Sequence, residues 1–252
     1  MPADVVFWKG VQCLFFRQWR RLKACARDAG VDLMGDIPIY VAEDSADVWA
    51  RPEQFQLDDE MRPTEVAGCP PDGFSATGQL WGNPLFDWER MGDEGFAWWL
   101  DRIEFQLDLY DILRIDHFRG FDSYYAIPAG AATAEGGRWR EGPGVAFFEA
   151  LEQRLGTCRI VAEDLGFLTP SVYALLAATG FPGMKVLEFA FDSRDGGGME
   201  YLPFSYPRTA WPMWARTITT RRSAGSRPAP PATPRSPANT CTLIPRKGGL
   251  GP

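Results

Sequence analysis

The sequence holds no acidic residue after Glu200, a single histidine, and no CxxC pair among its five cysteines. Each scarcity excludes something. Cys13, Cys25, Cys69, Cys158 and Cys241 are odd in number and scattered, which supports neither a disulfide framework nor a zinc site. No apolar run approaches the roughly 20 residues needed to cross a bilayer. Arg17, Arg20 and Arg21 interrupt the early apolar stretch before it reads as a signal peptide. The expected location is a reducing cytoplasm, with no membrane partner. The net charge of −7 lacks the basic excess that nucleic acid demands, so no nucleic-acid partner is expected.

What is present is a globular composition, 45% hydrophobic and 23% charged over 252 residues. Ten Trp, seventeen Phe and seven Tyr suit a packed core, and also a groove that stacks flat sugar faces. The charge is divided unevenly. Residues 1–200 carry 18 of the 26 basic residues against all 33 acids, a net of −15. Residues 201–252 carry the other eight and no acid, with ten of the 21 prolines. The composition changes near position 208.

Along the chain, apolar residues at helical spacing predict a helix over Val11 to Ala29, stopped by Gly30, and a strand from Val31 that ends in Gly35-Asp36-Ile37-Pro38. A short helix is expected around Ser45 to Trp49. Residues 51–87 are rich in breakers and read as a long loop with a small hairpin. Helices are predicted over Phe96 to Asp111, Val145 to Leu155, and from Pro170 through Ala178. Strands are predicted over Tyr110 to Leu113, Arg159 to Ala162, and Met184 to Phe189. Helix and strand alternate as in a parallel sheet. Three strands end in acids, at Asp36, Asp116 and Glu163, which is the layout of a (β/α)8-barrel active site. About four strands are legible, so the expected fold is α/β, a partial barrel.

Asp116 and Glu163 fall on neighbouring strands of that sheet. Two carboxyl groups across a cleft suggest glycosidic bond chemistry, one as nucleophile and one as acid/base, roughly 5–5.5 Å apart in a retaining site. Arg114, two residues before Asp116, points to the same face, and its fixed charge favours the ionised form a nucleophile needs. Asp164 beside Glu163, with the Asp116 charge nearby, favours a protonated Glu163. Two alternatives stand beside this reading. Arg114 and Asp116 can be an ordinary salt bridge, with Glu163-Asp164 capping a helix. Asp36, Asp116, Glu163 and His117 can instead hold a divalent cation. Phe74, Trp81, Phe118, Tyr124 and Tyr125 fit a sugar groove better, and a lone histidine is more often structural than a ligand.

At this point a series of motifs resembles one family. The stretches are Gly35 to Ala42 continuing through Asp44 to Trp49, Pro70 to Ser75, Gly78 to Leu85, Arg114 to Gly120, Ala162 to Gly166, and Pro182 to Leu187. In this order, from about residue 11 to 208, they resemble the 4-alpha-glucanotransferases (amylomaltases), an alpha-amylase-like branch of the retaining barrels in glycoside hydrolase family 77. The resemblance implies Asp116 as nucleophile and Glu163 as acid/base. It implies Asp36, Arg114, His117 and Asp164 around the sugar ring beside the cleaved bond, and Asp72, Phe74, Gln79 and Trp81 on a loop over the acceptor side. The substrates would be malto-oligosaccharides or α-glucan, transferred through a glycosyl-aspartate, with no cofactor and no metal. No protein partner is legible.

Two departures from the family follow. Its members begin with further barrel strands that Met1 omits, and their third acid, in a Thr-His-Asp-Asn motif, has no counterpart here. Codons for Trp214 to Thr220, read one base early, can encode Gly-Thr-His-Asp-Asn-Asp at the expected place. The expected organisation is therefore a partial catalytic barrel over 1–208, with a substrate-covering loop at 51–87. Residues 209–252 would be an out-of-frame, disordered, Pro/Arg-rich tail. The chain as written is expected to turn over negligibly. The alternatives are a non-catalytic glucan-binding fragment and an α-glucan hydrolase.

Overall fold

The computed structural model describes residues 2–72, 75–166, 168–191, 198–214 and the strand 242–245. Helix α1, Ala3–Asp28, leads into β1, Val31–Pro38, and the short α2, Ala46–Ala50. Strands β2, Glu65–Cys69, and β3, Gln79–Pro84, precede α3, Trp88–Asp93, and α4, Ala97–Leu109. Then come β4, Ile112–Asp116, β5, Ser123–Pro128, β6, Arg138–Glu141, and α5, Gly144–Leu155. Strand β7, Ile160–Ala162, α6, Pro170–Thr179, and β8, Met184–Val186, follow. The last two strands are β9, Trp211–Met213, and β10, Thr242–Pro245.

The sheet that positions the site is parallel. β4 pairs with β1 on one side and β7 on the other, in the registers Asp36↔Arg114 and Arg114↔Val161. A parallel bridge from Ala162 to Gly183 passes β7 on to β8, which pairs with β9. Five strands thus run the same way, and β10 lies antiparallel on the outer edge of β1. Helices α4 and α5 cover one face with an aromatic core. There Phe121 stacks on Phe147 at 4.7 Å between ring centroids, and Trp99 and Phe118 are fully enclosed. Burying such rings supplies the main drive for the layer. Gly35 is required in β1 because a side chain there would collide with the Tyr110 ring.

Several expectations need correction. The small hairpin expected within residues 51–87 is β2–β3; not expected is that it joins β5 and β6 in a four-stranded antiparallel sheet. Its charged edge is tied inward because Arg138 and Arg140 both pair with buried Glu65. The strand predicted over Met184 to Phe189 ends at Val186, and residues 187–191 form a 3-10 turn. The roughly four strands expected before position 208 are β1, β4, β7 and β8, and a fifth parallel strand, β9, lies past it. Within the tail expected to be disordered, 211–213 and 242–245 are strands; residues 215–241 and 246–252 lie outside the described residues. Helix α1 begins at Ala3, eight residues before the expected start. No helix among the described residues is long and apolar enough to cross a membrane.

Candidate active site

The site begins with one arginine. Arg114 on β4 is buried, and its Nη1 donates to both oxygens of Asp36 at 2.7 Å, across the β1–β4 register. Its Nη2 donates to Asp116 Oδ1 at 2.5 Å, and its Nε reaches Met184 Sδ at 3.2 Å. A planar fork with fixed donors suits this three-way hold, which a lysine could not reproduce. Asp36 and Asp116 therefore share a cation that the protein itself supplies. Among the described residues no three His, Cys, Asp or Glu converge as a metal site. Burial raises the pKa of Asp36, with Arg114 opposing and the Asp116 charge adding.

Glu163 continues the line of β7. Its backbone N–H donates to Ile115 O at 2.9 Å, and its carbonyl accepts from Phe118 N at 3.1 Å. Its carboxyl accepts from His117 N at 2.8 Å and Leu165 N at 3.1 Å. Those bonds favour the charged form, yet burial first and the Asp116 charge second push its pKa up to about 7. The Asp116 contribution is as expected, but burial comes first. Asp164 faces another way. It turns toward β8, where Oδ1 accepts from Met184 N at 2.6 Å. Gly183 makes room for this turn, because a side chain there would collide with the Asp164 carboxylate. Burial raises the pKa of Asp164 as well.

His117 follows β4 in a left-handed conformation, φ 57° and ψ 50°, which turns the strand into the 3-10 segment Phe118–Phe121. Its ring meets Trp81 edge-on at 4.9 Å and lies 6.5 Å from Tyr40. Burial first, then the Arg119 charge, pushes its pKa down to about 3, so the imidazole is neutral at ordinary pH. Its buried Nε2 has no hydrogen-bond partner among the described residues. The ring thus stands enclosed beside the Trp81 indole, with one buried polar atom unsatisfied among the described residues.

Asp36, Trp81, Arg114, Asp116, His117 and Glu163 thus come together. Trp81 arrives from β3, with its Nε1 donating to Gln79 Oε1 at 3.1 Å. Asp72 and Gln79 lie exposed on the β2–β3 hairpin, where Asp72 Oδ1 accepts from Ser75 N at 2.7 Å. Phe74 lies outside the described residues. Sequence reasoning missed two contributors, Met184 behind Arg114 and Tyr40 behind His117. Both fall inside the recognised stretches, but no residue-type rule marks a thioether as an arginine acceptor.

The sequence pattern of the 4-alpha-glucanotransferases, glycoside hydrolase family 77, matches residues 1–215. The chain is 53% identical over 195 residues to a 4-alpha-glucanotransferase of Streptococcus pneumoniae, covering 77% of this chain and 39% of that protein. It is 53% identical over 207 residues to one from Thermus thermophilus, covering 82% and 41%. Among solved structures, an amylomaltase from Streptococcus agalactiae in complex with acarbose superposes with a TM-score of 0.78. It is 42% identical, over 82% of this chain and 41% of that one. The chain spans about two fifths of the length of these relatives. On the extent of the pattern and of these identities, the chain belongs to the 4-alpha-glucanotransferase family.

Proposed function

We propose that this site carries the nucleophile and acid/base of a retaining transfer of α-1,4-glucan segments between malto-oligosaccharides. Asp116 attacks the anomeric carbon and becomes glycosylated. Glu163 protonates the departing 4-oxygen, then takes the proton from the 4-hydroxyl of the incoming sugar. Arg114 holds Asp116 in place, and Asp36, His117 and Asp164 bind the ring. Asp72, Phe74, Gln79 and Trp81 cover the acceptor. The observation that carries this reading is the contrast between two carboxyl groups on paired strands. One lies against a guanidinium, and the other is raised to about 7, near the optimum for a group that gives and later takes a proton.

The five parallel strands are read as consecutive staves of an alpha-amylase-like (β/α)8 barrel, working in the cytoplasm. The catalytic unit is taken to run through Trp214, because β9 and the family match both pass position 208. The acid-free remainder is read as out of frame, and with it the third acid. Resequencing the gene tests this: an intact frame with no lost or added base would sink it. The chain alone is expected to turn over negligibly. Transfer from maltotriose that Asp116→Asn abolishes would overturn that expectation.

The function itself is tested in a chimera that carries residues 11–214 in place of the matching stretch of the Thermus thermophilus relative. The expected result is glucose plus longer oligomers from maltotriose, lost in Asp116→Asn and in Glu163→Gln. A folded chimera releasing only hydrolysis products would favour a hydrolase. One that binds amylose in affinity electrophoresis without turnover would favour a binding fragment.

A further inference from the structure

We infer that Met184 is a positioning residue of this site: its thioether closes the third edge of the Arg114 guanidinium, and Asp164 fixes Met184 in turn. The inference rests on the proposed function for what the guanidinium serves, while the contact itself is argued from geometry. Arg114 carries donors on three nitrogens, and the two carboxylates take only two of them. Nη1 goes to Asp36 and Nη2 to Asp116. Nε donates to Met184 Sδ at 3.2 Å. With the Arg114 side chain 7% exposed and Met184 1% exposed, this donor is shut away from solvent. A buried donor of a charged group left without an acceptor costs more than the finished bond contributes.

The chemistry of the acceptor matters. A thioether is neutral, polarisable and a weak acceptor. A carboxylate in its place would compete for the cation that Asp36 and Asp116 share, and a hydrocarbon would leave the Nε–H unanswered. Met184 packs in an inner apolar cluster with Ile112, Val161 and Val186, whose side chains accept nothing. Ile112 and Arg114 face the same way on β4, and Arg114 registers with Val161. Met34, the other thioether of the cluster, registers with Ile112, one layer below. The Met184 sulfur is therefore the acceptor at the level of the guanidinium.

The backbone of Met184 is held by a side chain. Among the described residues β7 and β8 meet through the single bridge Ala162↔Gly183, so the ladder ends just where Met184 must be placed. The Asp164 carboxylate supplies the next tie, with Oδ1 accepting from Met184 N at 2.6 Å and Gly183 leaving the room. On the far side Met184 registers with Trp211 of β9. A chain of contacts thus runs from Asp164 through Met184 to Arg114, and ends on Asp36 and Asp116. A tilt of the guanidinium would carry the Asp116 carboxylate with it, and attack on an anomeric carbon is sensitive to small misplacement. This role of Asp164 is separate from any contact it makes with sugar.

The test follows the Arg114 Nε–H in the full chain by nitrogen-15 NMR, identified by its loss in Arg114→Met, and reads its exchange with solvent. Met184→Leu keeps the volume and removes the acceptor. Exchange at this N–H should rise about tenfold or more, with circular dichroism unchanged. Met184→Gln, whose Oε1 can take the N–H, should restore slow exchange. Asp164→Ala should raise it by a smaller factor, and Asp164→Asn, which keeps an oxygen in place, should not. Unmoved exchange in Met184→Leu would overturn the inference. So would a rise that Met184→Gln fails to reverse, which would assign Met184 to packing alone. If Met184→Leu does not fold, the Asp164 pair decides, and unmoved exchange in a folded Asp164→Ala overturns the inference. A chimera with Met184 in place that transfers no glucan, while the NMR response stands, would count against the proposed function and leave the positioning role intact.

Discussion

The two sides of β4 are finished differently. Toward β7 and α5 the strand lies under a closed aromatic layer, and Glu163 is held by two backbone N–H groups. Toward β1 and α1 the layer is open, and the carboxylates are steadied mainly by Arg114. The difference shows how one fold sets two carboxyl groups to two tasks. Enclosure makes Glu163 a weak acid, whereas Asp116, its side chain 45% exposed, keeps a charged partner at hand.

The largest effect expected on this contrast is in stability. Phe121→Ala, on the closed side, should cost about 3–5 kcal/mol in urea unfolding. Phe15→Ala, on the open side, should stay within about 0.5 kcal/mol. A similar cost for both would erase the contrast.

The next effect is on pH dependence. A carboxyl raised from 4.5 to about 7 on folding binds its proton more tightly in the folded state. Its stabilising contribution is therefore full below about pH 4.5 and is lost as pH rises through 7, about 3 kcal/mol in all. Stability measured against Glu163→Gln across that window should show the loss, and parallel curves would refute it.

Smaller again is Arg114→Met, which leaves Asp36 and Asp116 without their shared cation. With both side chains partly solvated, the cost should be about 1–3 kcal/mol, recovered in part at low pH. The smallest expected change is local. Trp81→Ala should uncover His117 and raise its pKa from about 3 by at least about one unit, read from its imidazole resonances. An unmoved titration would show that the indole does not enclose the ring.

Much of this was legible in the residues. Helices α5 and α6 announce themselves by apolar spacing and by Gly156 and Gly180, both with φ 67° at the helix stop. The acids at the ends of β1 and β4, and just past β7, followed from short apolar runs that terminate in Asp or Glu. Of the antiparallel sheet only the β2–β3 hairpin was legible, because β2 and β5 pair across dozens of residues and β6 is a charged edge strand held by Arg138 and Arg140 on Glu65. Nor could spacing reveal that Asp164 turns to β8, since that depends on the absent side chain of Gly183. The Asp116 part of the Glu163 shift was legible, but its larger cause, burial, was not. Neighbouring charges can be read along a chain, but burial is decided by what folds over it.

The central claim is that enclosure beside Asp116 keeps Glu163 protonated near neutrality. Carbon-13 NMR titration of the Glu163 side-chain carboxyl tests it most directly. The account predicts a midpoint near pH 7 that falls in Asp116→Asn, where the opposing charge is gone. A midpoint near 4.5, unmoved by that substitution, would contradict it.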